Sequence, residues 1–199
     1  MISNKVKCMD VSKKYDKRYW DGHRKYGYGG YKYIPGLLSP IAKKIIKKFK
    51  LNKKSKVLDL GCGKGFLLYE IKKILPDINV VGVDISKYAI NNSKKEIKKD
   101  IFFHDLGKKL KFKSKEFDLA ISLATFHNLD LTSLELAVKE ISRVSKKQYI
   151  MVESYKNSAE LFNMQCWSLT CDTFLKPSEW EWLFKKFNYR GLYEFIFFK

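Results

Sequence analysis

Short apolar segments alternate with amphipathic ones between residues 56 and 153, and this alternation constrains the fold more than any other feature of the chain. Apolar segments of strand length occur at residues 56–60, 79–84, 101–103, 117–123 and 148–153. Between them, helical patterns cover residues 65–75 and 132–144, and a helix that Ser86 can cap runs to about Lys98. Apolar strands separated by helices form a parallel sheet that is covered on both faces. We therefore predict an α/β fold with a mostly parallel sheet.

Further elements flank this core on both sides. An amphipathic helix is predicted at residues 40–49, and helices at 159–169 and 177–187 precede a closing strand at 192–198. The sheet should then have about six strands, with an N-terminal extension and an insertion after strand 5. Because no repeat or long linker interrupts the chain, we predict one domain over residues 1–199. Its parts are an N-terminal cap and helix (1–50), a ligand-binding core (51–154) and a C-terminal part with the insertion helix, last helix and closing strand (155–199).

The chain carries a formal net charge of +19, which invites a nucleic-acid interpretation. Only four of its 40 basic residues are Arg, however: Arg18, Arg24, Arg143 and Arg190. Arg is preferred for bidentate recognition of phosphates and bases, so a dedicated nucleic-acid surface would be expected to contain more of it. Nucleic-acid binding is therefore the less favoured hypothesis.

Two observations concern the cellular location and metal binding. No apolar run approaches the roughly 20 residues that span a bilayer, and the first residues lack the apolar region of a secretory signal, so a cytoplasmic protein is predicted. The four cysteines form no CxxC pair, so no metal site is expected. They are Cys8, Cys62, Cys166 and Cys171.

The turn after the first strand, in VLDLGCGKGFLL, contains Gly61, Gly63 and Gly65. Glycine allows positive φ angles and a close approach of the backbone to a ligand, whereas a plain tight turn needs only one glycine. The dinucleotide pattern GxGxxG would require a glycine at position 66, where the chain has Phe66. Ligands of parallel sheets bind at the carboxyl ends of the strands, so this turn predicts a binding site at that edge.

VLDLGCGKG followed by VVGVDIS resembles the first two motifs of class I S-adenosylmethionine-dependent methyltransferases. The resemblance covers roughly residues 56–152 and implies a Rossmann-like fold, methyltransferase activity, S-adenosylmethionine as cofactor and S-adenosylhomocysteine as product. It implies that the turn from Asp59 to Gly63 holds the methionine part, that Asp84 accepts both ribose hydroxyls, and that Ile85 packs on the adenine. The residues of the turn assigned to the cofactor are Asp59, Gly61, Cys62 and Gly63.

The next two strands add further cofactor residues by the same resemblance. Asp105 matches the acidic residue that receives the adenine amino group, and Leu106 would supply backbone contacts; a turn-forming role of Asp105 is the alternative. Ser122 and Ala124, at the end of the fourth strand, should lie beside the sulfonium.

His127 follows on the loop after the fourth strand and is the predicted catalytic residue. An imidazole with a pKa near neutrality can accept the proton of an attacking hydroxyl, which makes His127 a candidate general base. A histidine that only packs the loop is an equal alternative. Alignment alone can supply much of the rate, because methyl transfer is an in-line displacement on an activated sulfonium.

The fourth strand also bears on the methyl acceptor. Family members that methylate exocyclic base nitrogens carry Asn/Asp-Pro-Pro-aromatic here, whereas this chain reads SLAT at 122–125, and no cysteine lies between Cys62 and Cys166 to act as a cytosine C5 nucleophile. The wider aromatic pattern resembles small stand-alone methyltransferases of surface-polysaccharide gene clusters. We therefore predict O-methylation of a small polar metabolite, such as an anionic or nucleotide-activated sugar precursor. An RNA methyltransferase with a basic N-terminus and a non-catalytic cofactor-binding protein remain alternatives, and the sequence does not predict the oligomeric state.

The segment DGHRKYGYGGYKYIPG, residues 21–36, interleaves tyrosines with glycines. Preceding a cofactor-binding sheet, it is predicted to be a lid whose tyrosines, among them Tyr28 and Tyr31, shield the sulfonium with their aromatic faces. The alternative is a strap of tyrosines packed on the edge of the sheet.

Overall fold

The fold is a six-stranded sheet with helices on both faces, seen in a computed structural model that describes the backbone of residues 2–198 and the side chains of residues 4–198. The strands run in the order β3-β2-β1-β4-β5-β6, and every neighbouring pair is parallel. The predicted α/β architecture with six strands is thereby confirmed. The strands are β1 (Lys56–Leu60), β2 (Asn79–Asp84), β3 (Ile101–Phe103), β4 (Phe117–Leu123), β5 (Ser145–Glu153) and β6 (Leu192–Ile196).

Eight helices and three 3₁₀ turns connect the strands within residues 2–198. The Asp130 carboxylate caps the helix Leu131–Val144 (α6) by accepting the N–H groups of Thr132 and Ser133. Pro177 begins the helix Pro177–Lys186 (α8), at a position whose N–H would have no partner within the helix. The helices are α1 (Ile2–Ser12), α2 (Lys17–Asp21), α3 (Ser39–Phe49), α4 (Phe66–Ile74), α5 (Lys87–Asn91), α6 (Leu131–Val144), α7 (Ser158–Trp167) and α8 (Pro177–Lys186). The 3₁₀ turns are Arg24–Tyr26, Lys98–Asp100 and Phe126–Asn128.

Three helices differ substantially from the sequence prediction. The helix that Ser86 caps ends at Asn91 and not near Lys98, because Asn92 and Ser93 bond the carbonyls of Tyr88 and Ile90 and close the last turn. Helices α1 and α2 were not predicted, since ISNKVKCMDVS contains few large apolar residues and α2 is only five residues long. The outermost residues of the predicted domain, Met1 and Lys199, lie outside the described residues.

The sheet separates two apolar layers. On β1, Leu58 packs into the layer formed with α6 and α8, whereas Val57 packs into the layer formed with α3 and α4. Successive residues of a strand point to opposite faces, so a strand buried on both sides is apolar at nearly every position. In the described part of the chain, no helix has the length and apolar character needed to cross a membrane.

Candidate functional site

The glycine-rich turn joins β1 to α4 at the carboxyl edge of the sheet. Gly61 and Gly63 have φ angles of 81° and 56°, in the left-handed region that glycine adopts without strain. A Cβ atom on Gly63 would lie 2.9 Å from the indole ring of Trp20. Glycine at this position therefore lets residues 2–35, which we call the N-terminal segment, pack directly on the turn. The turn therefore presents its backbone to the space above the sheet.

Asp84 connects this turn to the end of β2. One of its carboxylate oxygens accepts the N–H of Gly63 at 2.7 Å, and the other accepts the N–H of Ser86 at 2.7 Å. Burial raises the pKa of this carboxyl, and the two backbone N–H groups act in the opposite direction. Each oxygen keeps a second lone pair, which can accept a hydrogen bond from a hydroxyl group of a ligand.

The turn and Asp84 lie at one side of a cavity of about 270 Å³, which we call the first cavity. Most of the predicted cofactor residues meet here, although they come from four separate segments of the chain. The predicted residues that line it are Tyr28, Tyr31, Gly61, Cys62, Gly63, Asp84, Ile85, Asp105 and Leu106. Asp105 also accepts the N–H of Gly107 at 2.9 Å, so lining the cavity and forming the turn are compatible.

Two predicted residues do not line the first cavity. Ser122 is fully buried, and its hydroxyl donates to the carbonyl of Leu60 at 3.0 Å, so its place beside the sulfonium stays a prediction. Asp59 lies beneath the turn, 4% exposed, and burial together with the nearby Asp84 carboxylate raises its pKa to about 8.

Aromatic rings from the N-terminal segment form part of the wall of the first cavity. Trp20 donates its indole N–H to the Ser86 hydroxyl at 2.8 Å and stacks on Tyr28, with the ring centroids 5.4 Å apart. Tyr15 and Tyr19 line the same cavity. These three residues were missed in the site prediction, although YDKRYWDG already placed them next to the tyrosine-rich segment.

A buried ion pair anchors this segment to the glycine-rich turn. The Lys64 ammonium lies 2.7 and 2.8 Å from the two carboxylate oxygens of Asp21 and donates to the carbonyl of Tyr31 at 2.7 Å. Tyr88 donates its hydroxyl to the same carboxylate at 2.8 Å. The Lys64 side chain is only 5% exposed, so the pair holds the segment against the sheet through a charge removed from water.

A second cavity of about 350 Å³ adjoins the first. The two share Tyr19, Tyr28, Ala124 and Asn128 in their walls. Helix α7 and the loop after it supply one side of the second cavity, including Cys166, Trp167, Ser168 and Thr170. The N-terminal segment supplies another side through Arg24 and Lys25.

The N-terminal segment and α7 contact each other around the second cavity. The guanidinium carbon of Arg24 lies 4.4 Å from the centroid of the Trp167 ring, Lys5 donates to the carbonyl of Gln165, and Lys13 forms an ion pair with Asp172. The insertion after β5 therefore packs on the N-terminal segment and forms part of a cavity wall. Phe162 on the same helix is instead 65% exposed.

His127 also lines the second cavity, but its ring is only 3% exposed. Nδ1 accepts the backbone N–H of Glu153 at 3.2 Å, so the neutral ring carries its proton on Nε2, which lies 3.5 Å from Glu153 Oε2. Burial lowers the pKa of His127 to about 3, which makes the ring a weak proton acceptor. Its predicted role as general base stays a prediction, and this geometry supports a different role for the ring.

The polar and aromatic groups that line the first cavity define the kind of ligand that fits. They are the carboxylates of Asp84 and Asp105, the backbone of the glycine-rich turn, and the aromatic rings of the N-terminal segment. Such a set suits a ligand that carries hydroxyl groups and a positive charge, since carboxylates accept O–H donors and both carboxylates and aromatic faces attract cations.

Comparisons with known proteins agree with this description. A family model described as a methyltransferase domain matches residues 51–188. The ribosomal RNA small subunit methyltransferase C of Haemophilus influenzae is 32% identical over 115 residues, which cover 55% of this chain and 31% of that protein. The protein of the same name from Erwinia tasmaniensis is 31% identical over 98 residues, covering 47% and 28%. The match thus spans less than a third of the length of these curated relatives.

Solved structures show the same fold. The MccD protein aligns with a TM-score of 0.59 at 20% identity, covering 73% of this chain and 68% of that chain. The YcgJ protein of Bacillus subtilis aligns with a TM-score of 0.58 at 19% identity, covering 73% and 66%. At these identities the likeness concerns the fold alone.

Proposed function

The chain belongs to the methyltransferase family, whose cofactor is S-adenosylmethionine, and from this premise we propose that it methylates an oxygen atom of a small polar metabolite. The observation that carries the proposal is the pair of adjoining cavities. The first is lined by most of the predicted cofactor residues, and the second is the place for an acceptor. Because both have Ala124 and Tyr28 in their walls, a group transferred between two bound molecules would pass there.

The first cavity fits the cofactor by the chemistry of its lining. Asp84 would accept the ribose hydroxyls, Ile85 would pack on the adenine, and the backbone from Gly61 to Gly63 would hold the methionine part. Asp59 and the tyrosine faces would favour the positive charges of the ligand. When bound, S-adenosylmethionine supplies a methyl group on a sulfonium that needs no further activation.

For the acceptor, we propose a sugar or another precursor of a surface polysaccharide. The second cavity supports an acceptor with an anionic part, because Arg24 and Lys25 line it while its interior carries polar groups such as Glu153 and Asn128. A nucleoside-diphosphate sugar has hydroxyl groups and a diphosphate that match these two regions. The resemblance of the aromatic sequence pattern points to the same class.

A methyl-transfer screen tests this acceptor class. The full chain is incubated with labelled S-adenosylmethionine and a panel of nucleoside-diphosphate sugars, and products are detected by a mass gain of one CH₂ unit. Methylation of at least one sugar is the expected result. If the protein binds S-adenosylmethionine in calorimetry but methylates none of the sugars, the proposed acceptor class is wrong.

Methylation of RNA is a second candidate function, favoured by the names of the two curated relatives and by the net charge. SLAT at 122–125 argues against exocyclic base nitrogens as the acceptor atoms. Label transferred to ribosomal RNA, together with an RNA affinity that falls steeply with salt, would support this candidate.

The single domain over residues 1–199 and the cytoplasmic location also remain proposals from the sequence.

A further inference from the structure

A cluster of polar side chains in the wall of the second cavity has no role in the function proposed so far. It consists of Glu153 at the end of β5, His127 from the 3₁₀ turn after β4, and Ser168 just after α7; we call these three residues the Glu153 triad. They come from three separate segments, and all three line the cavity where the acceptor would bind. No residue of the triad except His127 was a site prediction from sequence.

We propose that Glu153 is the carboxylate that receives the proton of the acceptor hydroxyl, and that His127 and Ser168 are positioning residues that orient it. The inference rests on the proposed function, because it assumes that an acceptor with a hydroxyl group occupies the second cavity. It concerns the side chains of this chain and not the identity of the sugar.

The hydrogen bonds of the triad orient one face of the carboxylate. Ser168 donates its hydroxyl to Oε2 of Glu153 at 2.6 Å, and Nε2 of His127 lies 3.5 Å from the same oxygen. Among the residues whose side chains the structure describes, none donates a hydrogen bond to Oε1. That oxygen belongs to a residue lining the cavity and can accept the acceptor hydroxyl.

His127 positions Glu153 through backbone and side chain together. Its Nδ1 accepts the backbone N–H of Glu153 at 3.2 Å, and Trp180 donates its indole N–H to the Glu153 carbonyl at 3.2 Å. The main chain of Glu153 is thus held on both sides. Because Nδ1 is occupied, the neutral His127 ring has only an N–H to offer and acts as a donor, not as a base.

The charge environment favours Glu153 as the proton acceptor. Burial raises the pKa of its carboxyl above the ordinary value, while the hydrogen bond from Ser168 lowers it. A base whose pKa lies closer to neutrality accepts a proton more readily at physiological pH. The groups that face Glu153 from the elements packed around it are His127, Tyr28 and Cys171, and the cations that line the same cavity are Arg24 and Lys25.

The step balances in protons and electron pairs. A lone pair of the acceptor oxygen forms the bond to the methyl carbon, the electron pair of the carbon–sulfur bond goes to sulfur, and the O–H proton goes to Glu153. Solvent reached through the open side of the cavity then takes the proton from the carboxyl group, which restores the carboxylate.

Glu153→Gln tests the inference, because it keeps the shape of the side chain and removes its ability to take a proton. We expect kcat to fall by about 100-fold or more, as is typical when a general base is lost, and the affinity for S-adenosylmethionine to stay within about twofold. Glu181→Gln, at an exposed position on α8, is the matched control and should keep full turnover. Glu153→Gln with turnover within threefold of the wild type would overturn the inference.

The pH profile separates Glu153 from His127. With Glu153 as the base, kcat/KM rises with pH through the pKa of Glu153 and then stays constant; we call the rising part the acid limb. Ser168→Ala moves this limb to higher pH, because the hydrogen bond that stabilises the Glu153 carboxylate is lost. His127→Ala should lower kcat and keep the limb. A limb that vanishes in His127→Ala and persists in Glu153→Gln would assign the base to His127 instead.

A measurement without turnover tests the inference even if no sugar is methylated. Carboxyl ¹³C NMR of the full chain should show Glu153 titrating above the ordinary glutamate pKa of about 4.3, and higher still in Ser168→Ala. Ordinary titration in both proteins would overturn the inference. Failure of the sugar screen alone would instead overturn the proposed acceptor class.

Discussion

At the scale of single residues, the site is built around two carboxylates that lie close together and largely out of water. The N–H groups of Gly63 and Ser86 stabilise the ionised form of Asp84. Burial and the negative charge of Asp84 destabilise the ionised form of Asp59. Burial opposes the ionisation of both carboxyls in the absence of a ligand, while the two N–H groups favour the ionised form of Asp84. A positive charge bound nearby would relieve this cost, so the two residues are better explained by ligand binding than by folding stability.

The stability of the protein should therefore depend on Asp59 in a pH-dependent manner. Below about pH 4 the carboxyl is protonated in the folded and the unfolded chain, and as the pH rises toward about 8 only the unfolded chain ionises freely, so stability is lost. Asp59→Asn removes this loss. We expect its free energy of unfolding in urea to exceed that of the wild type by a margin that grows by at least about 1 kcal/mol between about pH 4 and about pH 8.

Asp77→Asn is the control for this measurement, because Asp77 is exposed. Its difference from the wild type should stay small and constant with pH. A constant difference for Asp59→Asn as well would contradict the raised pKa of Asp59.

Cofactor affinity should depend on Asp84. Asp84→Ala removes the acceptor predicted for the ribose hydroxyls and leaves two buried N–H groups without their partner. Hydrogen bonds to a charged group contribute about 1.5–3 kcal/mol, so the Kd for S-adenosylmethionine should rise by roughly 10-fold to 100-fold in calorimetry. Asp77→Ala should leave the Kd unchanged, and an unchanged Kd in Asp84→Ala would remove Asp84 from the cofactor site.

At the scale of elements, three parts of the chain that are distant in sequence meet at the carboxyl edge of the sheet. The N-terminal segment supplies aromatic rings, the glycine-rich turn supplies backbone groups, and α7 with the following loop completes the second cavity. The Lys64–Asp21 pair connects the first two, and the Lys64 side chain in this pair is only 5% exposed. Removal of one partner would leave a buried charge uncompensated.

Asp21→Asn tests whether this pair holds the N-terminal segment in place. Loss of the carboxylate should lower the free energy of unfolding in urea by about 2 kcal/mol or more and weaken S-adenosylmethionine binding, since Trp20 and Tyr31 lose their anchor. Glu135→Gln, which breaks an exposed pair with Lys139, should change the free energy by no more than about 0.5 kcal/mol. Equal effects of the two variants would show that the buried pair is not an anchor.

At the scale of the whole molecule, most of the predicted cofactor residues lie at the strand ends of the sheet, and elements outside residues 51–154 enclose them. The N-terminal segment covers the first cavity and, with α7, surrounds the second. In this structure the segment is held by hydrogen bonds to the turn at Lys64 and to Ser86. Whether it opens during turnover as a lid stays a prediction.

Deletion of residues 1–35 separates the two interpretations of this segment. If the segment is part of the site, the truncated protein should still unfold cooperatively but lose S-adenosylmethionine binding and turnover, because Trp20 and the tyrosines no longer close the first cavity. A truncated protein that melts at a lower temperature but binds the cofactor like the wild type would make the segment a structural strap. Calorimetry and thermal unfolding of the same preparation provide both measurements.

Much of the architecture could be predicted because its signals are local. The spacing of apolar residues around β1 and β2, the cluster of glycines from Gly61 to Gly65, and Asp84 at the end of an apolar run all follow from neighbouring residues and from the parallel-sheet rule. The end of α5 was harder to predict, because hydrogen bonds from the side chains of Asn92 and Ser93 to the backbone end this helix early.

The sequence by itself determined the class of fold, the carboxyl edge where the cofactor residues gather and the type of chemistry, since these depend on short motifs and their order. Only the tertiary structure decided that the Ser122 hydroxyl donates to the carbonyl of Leu60, that Lys64 is buried against Asp21, and that Nδ1 of His127 accepts the backbone N–H of Glu153. It also brought Glu153 and Ser168 together across 15 residues of chain. The physical reason is that burial and hydrogen-bond partners, which set the charge and orientation of a polar side chain, come from segments that no local pattern connects.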